Sequence, residues 1–263
     1  SEMAEKWGVS GHQFGSLADD YALHRADFPV AGIERLAALG VGTSGQRLLD
    51  LGCGTGTLAR QFAARGCTVT GADVDARMLA AARDLAAAAD LQIEWLECRA
   101  EETGFPPGSF DVITAAQCWH WFDGEAAASE VRRLLVIGGR VGVCGFDWLP
   151  LPDTVSGVTE ALIETHNPSW KLGGIRDPGP SVRRQLGDAG LEVLETFTFD
   201  VDVPYAVDSW HRRIGASAAI LDLSAEAAAA FDAQLREVLA EQFPGDYLIA
   251  PHRVWASVAR SPG

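Results

Sequence analysis

The segment 47–58, with the sequence RLLDLGCGTGTL, constrains the fold of this chain more than any other. Its apolar start is typical of a parallel strand that is buried on both faces of a sheet. Gly52, Gly54 and Gly56 follow, and glycines allow a tight turn and a close approach of the backbone to a ligand. The same pattern of strand, glycine-rich turn and helix occurs in proteins that bind dinucleotides or phosphates. This segment alone therefore does not identify the ligand.

A second predicted strand, 68–73, ends at Asp73, about twenty residues after the glycines. An acidic residue in this position is the expected partner of a ribose diol, because a carboxylate offers two acceptor oxygens. The pattern therefore predicts a cofactor that contains a nucleoside. The alternative role for Asp73 is that of an aspartate that only caps a turn.

The spacing of the glycines separates two classes of nucleoside cofactor. A nicotinamide-dependent dehydrogenase places its third glycine farther along, as G-x-G-x-x-G. Here residues 52–56 have the spacing G-x-G-x-G. The dehydrogenase interpretation is therefore disfavoured.

Four motifs occur in order in the first half of the chain: DLGCGTG at 50–56, VTGADVDARML at 69–79, AEETGFPPGSFDVI at 100–113 and GGRVGVC at 138–144. Together they resemble the motifs of class I S-adenosyl-L-methionine (SAM)-dependent methyltransferases. The run AAQCWHWFD at 115–123 is similar to the HWFD ending of a subgroup that includes trans-aconitate methyltransferase-like enzymes. The resemblance implies a Rossmann-like class I methyltransferase fold of the α/β class. Such a fold has a mostly parallel seven-stranded sheet, helices on both faces and a small helical cap.

The hydrophobic pattern predicts the same architecture in the first half of the chain. Strands are predicted at 47–51, 68–73, 91–97, 110–116 and 139–145. Helices are predicted at 30–39, 57–65, 76–89 and 124–135. Alternation of this kind indicates parallel strands joined by right-handed crossovers.

The alternation breaks after residue 145. The prediction for the rest of the chain is a loop rich in proline and glycine, a short helix at 181–189, a strand at 191–199, a helical insertion at 205–243 and a last strand at 253–258. We expect one methyltransferase domain over 1–263, with an N-terminal lid at about 1–40 and cap insertions at about 146–180 and 204–248. Variable loops on a rigid scaffold commonly recognise the substrate.

The resemblance also implies which residues bind SAM. They are Tyr21, Arg25, Asp50, Gly52, Gly54, Gly56, Asp73, Val74, Met78, Ala100, Glu101 and Gln117. Tyr21 and Arg25 would close over the cofactor and reach its carboxylate, for which the planar guanidinium fork is suited. A surface salt bridge is the alternative role for Arg25, and ordinary helix packing is the alternative for Val74 and Met78.

One residue departs from the family pattern near the expected adenine site. Arg99 stands where the family often has an aspartate directly before the equivalent of Ala100. The contact to the adenine amino group therefore falls to the Ala100 backbone and to Glu101. Asp50 would hold the glycine turn or accept from the cofactor ammonium, and Gln117 would touch the methionine part.

The implied chemistry is an SN2 transfer of a methyl group that leaves S-adenosyl-L-homocysteine. The protein then mostly supplies alignment and, where needed, a base. His120 is the candidate catalytic residue, because neutral imidazole accepts a proton near neutral pH. Its alternative roles are to order the loop in which it lies or to pack under the cofactor.

Tryptophan is the candidate residue type for the acceptor pocket, since aromatic walls suit a flat or apolar small molecule. The candidates are Trp119, Trp121, Trp148, Trp170 and Trp210. Core packing is the alternative role for each of them.

Composition excludes several classes of partner. The net charge of −15 argues against a nucleic-acid substrate, which requires a basic surface. No apolar segment approaches the roughly 20 residues that cross a bilayer, and the N-terminal sequence lacks the pattern of a signal peptide. The cysteines form no C-x-x-C pair and no metal-ligand spacing. We therefore expect a reduced, cytoplasmic protein without a metal, a nucleic-acid partner or a membrane partner.

The function predicted from the sequence is methyl transfer from SAM to a small-molecule acceptor, first of all to an oxygen of a hydroxyl or carboxylate. An N- or C-methyltransferase on the same scaffold is the first alternative. The second is a protein that binds SAM without transferring a methyl group.

Overall fold

A computed structural model of the protein describes residues 27–263 and contains a seven-stranded sheet in the order β3-β2-β1-β4-β5-β7-β6. The strands are β1 (Arg47–Leu51), β2 (Thr68–Asp73), β3 (Glu94–Glu97), β4 (Phe110–Ala116), β5 (Leu135–Trp148), β6 (Glu192–Ala206) and β7 (Tyr247–Arg260). The α-helices of the described residues are α1 (Val30–Ala38), α2 (Thr57–Ala64), α3 (Ala76–Ala88), α4 (Gly124–Leu134), α5 (Val155–His166), α6 (Gly179–Asp188), α7 (Val207–Gly215), α8 (Ala218–Leu221) and α9 (Ala225–Gln242). A short 3₁₀ helix covers Trp119–Trp121.

The first five strands pair in parallel, as the alternating pattern predicts. β1 lies between β2 and β4, β2 also pairs with β3, and β4 also pairs with β5. In this register Asp50 of β1 has Gly71 on one side and Thr114 on the other. Because parallel strands end at the same edge, the turns that follow β1, β2 and β4 lie side by side.

The chain divides into two compact units, and the larger comprises residues 27–146, 177–199 and 254–263. Its core is built from fully buried apolar side chains of adjacent strands, among them Leu49, Leu51, Ile113, Val141 and Val143. Side-chain caps fix the starts of two helices next to the sheet. Asp75 accepts from the Arg77 amide at α3, and Asp123 accepts from the Ala126 amide at α4.

The smaller unit comprises residues 147–176 and 200–253 among those described. It contains α5, α7, α8 and α9 and has a core of its own. The largest buried side chains of this core are Trp210, Phe231, Ile163, Leu235 and Leu239.

The prediction of a loop after residue 145 is wrong at Val155–His166, which form α5. Thr154 caps this helix by accepting a hydrogen bond from the Gly157 amide at 3.1 Å. Val155, Thr159 and Ile163 are buried at intervals of four residues, which is the spacing of one helix face. The glycines and prolines on either side of this segment concealed the periodicity.

The other differences concern the bounds of the elements. β3 begins later than predicted, whereas β5, β6 and β7 are longer. The predicted helical insertion at 205–243 consists of α7, α8 and α9. No helix within residues 27–263 is both long enough and apolar enough to cross a membrane.

Candidate functional site

The end of β2 is tied to the glycine turn that follows β1. The Gly54 amide donates to Oδ2 of Asp73 at 2.9 Å, and the Asp75 amide donates to Oδ1 at 2.9 Å. The Cys53 amide also donates to the Ala72 carbonyl at 3.0 Å. The backbone therefore orients the Asp73 carboxylate, and a carboxylate has more acceptor positions than these amides occupy.

The three glycines of the turn serve different purposes. All have positive φ, of 60° at Gly52, 55° at Gly54 and 80° at Gly56. A Cβ at Gly52 would lie 2.8 Å from Sγ of Cys118, and one at Gly56 would lie 2.5 Å from Cη2 of Trp95. A Cβ at Gly54 would meet no heavy atom of residues 27–263 within 4 Å. Of these glycines, Gly54 is therefore the one that borders open space.

Asp50 is buried in the middle of the sheet and is held by its neighbour on β4. Oγ1 of Thr114 donates to Oδ1 of Asp50 at 2.8 Å. Burial raises the pKa of Asp50 from 3.8 to about 7; the hydrogen bond from Thr114 opposes this shift, and the charge of Asp73 adds to it. Asp50 is therefore an acid that ionises near neutral pH.

The two carboxylates also act on the neighbouring thiol. The pKa of Cys53 is raised well above its usual value, first by burial and then by the charges of Asp50 and Asp73. The region around the glycine turn consequently has a negative potential when both carboxylates are ionised. Such a potential favours a cationic ligand.

The residues predicted to lie near an adenine ring differ in exposure. Val74 is exposed, whereas Met78 of α3 and Ala100 are buried. Oε1 of Glu101 accepts from the Asp123 amide at 2.9 Å. Glu101 thus connects its own turn to the end of the loop that follows β4.

That loop begins at Gln117, which is held in a left-handed backbone conformation with φ of 62°. Its amide donates to the Cys144 carbonyl at 2.9 Å, and its side-chain Nε2 donates to the Phe146 carbonyl. A non-glycine residue in this conformation costs on the order of 1 kcal/mol, so the surrounding hydrogen bonds hold it in place.

His120 lies in the middle of the same loop. It is partly buried, and its ring centroid is 4.6 Å from that of Trp121. The preceding residue, Trp119, is buried and donates from Nε1 to Oε1 of Gln185 at 2.8 Å. The loop is therefore anchored by Gln185 on α6 before His120 and by Glu101 after it.

The structure brings most of the predicted cofactor residues to one edge of the larger unit. A hydrogen bond joins Gly54 directly to Asp73, whereas Glu101 is joined to the loop after β4 through the Asp123 amide. Tyr21 and Arg25 lie outside the described residues, as does most of the predicted lid at 1–40. Their assignment stays a prediction.

The remaining predicted tryptophans form one cluster in the smaller unit. The ring centroid of Trp148 lies 6.3 Å from that of Trp170 and 6.4 Å from that of Trp210. Trp210 is fully buried and donates to Oγ1 of Thr159 at 3.1 Å, which is the environment of a core residue. Trp148 and Trp170 are partly buried.

Sequence analysis did not identify three residues of the larger unit that shape the site. They differ in how far the sequence signals their role. Thr114 could have been found, because it is the register partner of Asp50 once β1 and β4 are paired. Trp95 lies on a predicted strand, but its contacts with Gly56 and Gly71 depend on side-chain direction. Gln185 is 66 residues from Trp119, and no local pattern signals that contact.

Within residues 27–263, no group of three or more His, Cys, Asp or Glu side chains is arranged to hold a metal ion.

Comparison with protein families gives one match, in which residues 49–143 fit the family described as Methyltransferase domain. An uncharacterised methyltransferase of Mycobacterium tuberculosis is 37% identical over 130 residues, which cover 49% of this chain and 50% of that protein. A ubiquinone biosynthesis O-methyltransferase of Klebsiella pneumoniae is 35% identical over 102 residues, covering 38% of this chain and 42% of the relative. The chain spans about half the length of the curated relatives that it matches.

Solved structures with the same fold are more distant in sequence. A protein of Anaeromyxobacter dehalogenans, assigned provisionally to the type II methyltransferases, superimposes with a TM-score of 0.64 at 20% identity and covers 90% of this chain and 97% of its own. The phosphoethanolamine N-methyltransferase 2 of Haemonchus contortus, in complex with S-adenosyl-L-methionine, gives a TM-score of 0.57 at 19% identity over 95% of this chain and 57% of its own. The prediction of a Rossmann-like class I methyltransferase fold is confirmed, whereas the trans-aconitate-like subgroup stays a prediction.

Replacement of Gly56 by Ala should lower the melting temperature much more than replacement of Gly54 by Ala. Both positions have positive φ, so both variants carry a backbone strain of about 1 kcal/mol. Only the Gly56→Ala side chain also meets Trp95, at 2.5 Å. Thermal unfolding of both variants checks this, with Trp95→Ala added to Gly56→Ala as a double-mutant cycle. Equal melting temperatures would contradict the assignment of Gly54 to open space.

The free energy of unfolding of the native protein should decrease as the pH rises from about 4 to about 7. The Asp50→Asn variant should show a much smaller decrease. The folded-state pKa of Asp50, about 7, lies above the ordinary value of 3.8. The contribution of Asp50 to the free energy of unfolding is therefore fully present below the ordinary pKa. It is lost as the pH rises through the pKa of the folded state. Asparagine keeps an acceptor for Thr114 but does not ionise.

Urea unfolding at about pH 5 and about pH 8 measures this difference. Asp111→Asn is the control, because pairing with Arg47 lowers the pKa of Asp111 and gives the opposite pH dependence at lower pH. A decline in Asp50→Asn as large as in the native protein would contradict the burial argument.

Proposed function

We propose that the chain is a SAM-dependent methyltransferase that transfers a methyl group to an oxygen of a small-molecule acceptor. The observation that carries the proposal is the hydrogen bond between the Gly54 amide and Asp73, which sets a ribose-binding carboxylate beside the open side of the glycine turn. The match of residues 49–143 to a methyltransferase domain supports the same cofactor.

The residues of the site fit SAM in both charge and shape. Asp73 presents a carboxylate that can accept from ribose hydroxyl groups, and Gly54 leaves space that a side chain would fill. Asp50 and Asp73 give the negative potential that suits a ligand with an ammonium and a sulfonium group. Bound SAM supplies a methyl group on a cationic sulfur, which makes it an excellent electrophile.

The side chains then have distinct tasks. Asp73 accepts from the ribose hydroxyls, and Asp50 keeps the glycine turn in place through its buried position beside Thr114. Gln117, fixed by the Cys144 and Phe146 carbonyls, sets the start of the loop that faces the methionine part. Val74, Met78, Ala100 and Glu101 enclose the adenine.

His120 is the proposed base for an acceptor with a hydroxyl group. The anchoring of Trp119 to Gln185 fixes the loop in front of it, so the imidazole has a defined position from which to accept the proton. Trp121 packs against this imidazole. A carboxylate acceptor has already lost its proton and needs no base. His120 would then contribute only to the shape of the loop.

The choice of oxygen over nitrogen or carbon rests on a relative. The similar protein of Klebsiella pneumoniae is named an O-methyltransferase, and it is 35% identical to this chain over 102 residues. The net charge of −15 favours a small acceptor over a nucleic acid. Trp148 and Trp170, which both lie in the predicted cap insertion at 146–180, stay the predicted contacts of that acceptor.

Replacement of Asp73 by Asn should weaken SAM binding about tenfold, because the amide replaces one of the acceptor oxygens by a donor. Isothermal titration of the purified protein with SAM, and separately with NADH, measures the effect. Asp84→Asn, an exposed substitution on α3, is the matched control and should bind SAM like the native protein. The absence of SAM binding by the native protein would refute the proposed function, and NADH binding in its place would favour a dehydrogenase.

Replacement of His120 by Asn should lower kcat about a hundredfold for a hydroxyl acceptor while leaving the affinity for SAM within twofold. The readout is formation of S-adenosyl-L-homocysteine in a screen of phenols, alcohols and carboxylic acids. An unchanged kcat in His120→Asn would assign His120 to loop structure alone.

A further inference from the structure

Arg213 of α7 is held in a fixed position within the smaller unit. Its Nε donates to the hydroxyl of Tyr205 at 3.1 Å, and its Cζ lies 5.0 Å from the centroid of the Trp148 ring. Tyr205 is itself buried against Trp210, with ring centroids 5.1 Å apart. The guanidinium is therefore ordered before any ligand arrives, which reduces the entropy that binding would cost.

The charge of Arg213 is not compensated by a carboxylate among residues 27–263. Other arginines of the same unit are paired: Arg236 lies 2.9 Å from Asp208, and Arg253 lies 2.7 Å from Asp200. Arg213 is partly buried, and the hydrogen bond from Nε to Tyr205 leaves its terminal nitrogens without a partner in this part of the chain. A partly desolvated cation is favourable only when an anion or several acceptors face it.

Trp170, which packs near Trp148, has a second unsatisfied donor. Its Nε1 is buried and has no hydrogen-bond partner among the described residues. Its ring centroid is 6.3 Å from that of Trp148. A buried N–H without an acceptor costs about 1–3 kcal/mol.

The buried carboxylate of this cluster does not satisfy either donor. Oε1 of Glu160 accepts from Nε1 of Trp148 at 3.1 Å, and Oε2 accepts from the Gly174 amide at 2.9 Å. Glu160 thus fixes the edge of the Trp148 indole and the 173–174 turn. The unsatisfied donors of Arg213 and Trp170 therefore both belong to side chains that lie next to the Trp148 indole.

We infer that Arg213, Trp148 and Trp170 form a binding site for the carboxylate of a small planar acid. The guanidinium fork matches two carboxylate oxygens, and the indole N–H supplies a further donor. The indole rings suit a flat body attached to that carboxylate. The assignment of this acid as the methyl acceptor rests on the proposed function, whereas its binding to Arg213 does not.

Titration of the native protein with benzoate and with fumarate tests the site. Each acid should bind about tenfold more tightly than its neutral amide, benzamide or fumaramide, because only the acid pairs with the guanidinium. Arg213→Gln should weaken binding of the acids about tenfold, and Arg213→Lys should do so less, since it keeps the charge but loses the fork. Arg212→Gln, an exposed substitution at the adjacent position, is the control and should bind like the native protein.

A second readout follows the indole of Trp170. In a protein labelled with ¹⁵N-tryptophan, the Nε1–H resonance that is missing in Trp170→Phe should shift when benzoate or fumarate is added. Circular dichroism of each variant shows whether it is folded, and the Trp170 resonance of the native protein tests the site without any substitution.

Two outcomes would overturn the inference. In the first, neither acid shows saturable binding to the native protein. In the second, the acids and their amides bind with equal affinity, and the Arg213→Gln variant binds them as the native protein does. SAM titration of the same samples separates the two proposals. SAM binding without acid binding would refute the carboxylate site alone. Acid binding without SAM binding would refute the proposed function and leave the site standing.

Discussion

The parallel pairing of β1 with both β2 and β4 is the constraint on which the candidate site depends. It places Asp50 between Gly71 and Thr114 and brings the turns after the three strands to one edge. The hydrogen bond from Gly54 to Asp73 then joins two of these turns. The third, the loop at 117–123, is tied to the sheet through the Cys144 carbonyl of β5. A shift of any one strand would separate these groups.

Much of this arrangement could be predicted from the sequence, because its signals are local. The strand, glycine turn and helix at 47–58 form one continuous pattern, and the second strand ends at its acidic residue as expected. Once the pairing of β1 and β4 is assumed, even Thr114 can be placed opposite Asp50. The reason why each glycine is required is harder to predict. The φ angles follow from the turn, but Gly56 cannot carry a side chain because it would meet Trp95, 39 positions farther along the chain.

The rest could not be predicted because it depends on contacts between distant segments. Gln185 holds the loop of His120 from α6, and no sequence spacing links these two segments. Among the described residues, the smaller unit is assembled from two stretches, 147–176 and 200–253, that are distant in the sequence. Its helix α5 lies between segments rich in glycine and proline, which hide the helical spacing of the buried residues Val155, Thr159 and Ile163. The contact of Arg213 with Trp148 joins its two stretches in the same way.

The carboxylates around the glycine turn have a further consequence for the cysteines beside them. A thiol reacts with an electrophile as the thiolate, and the fraction of thiolate falls as the pKa rises. Burial, followed by the charges of Asp50 and Asp73, raises the pKa of Cys53, and burial followed by Asp73 and Glu130 raises that of Cys98 to about 11. The same negative potential that attracts a cationic alkylating agent therefore keeps the neighbouring thiols protonated. A site of this kind can hold a reactive methyl donor beside cysteine residues without alkylating itself.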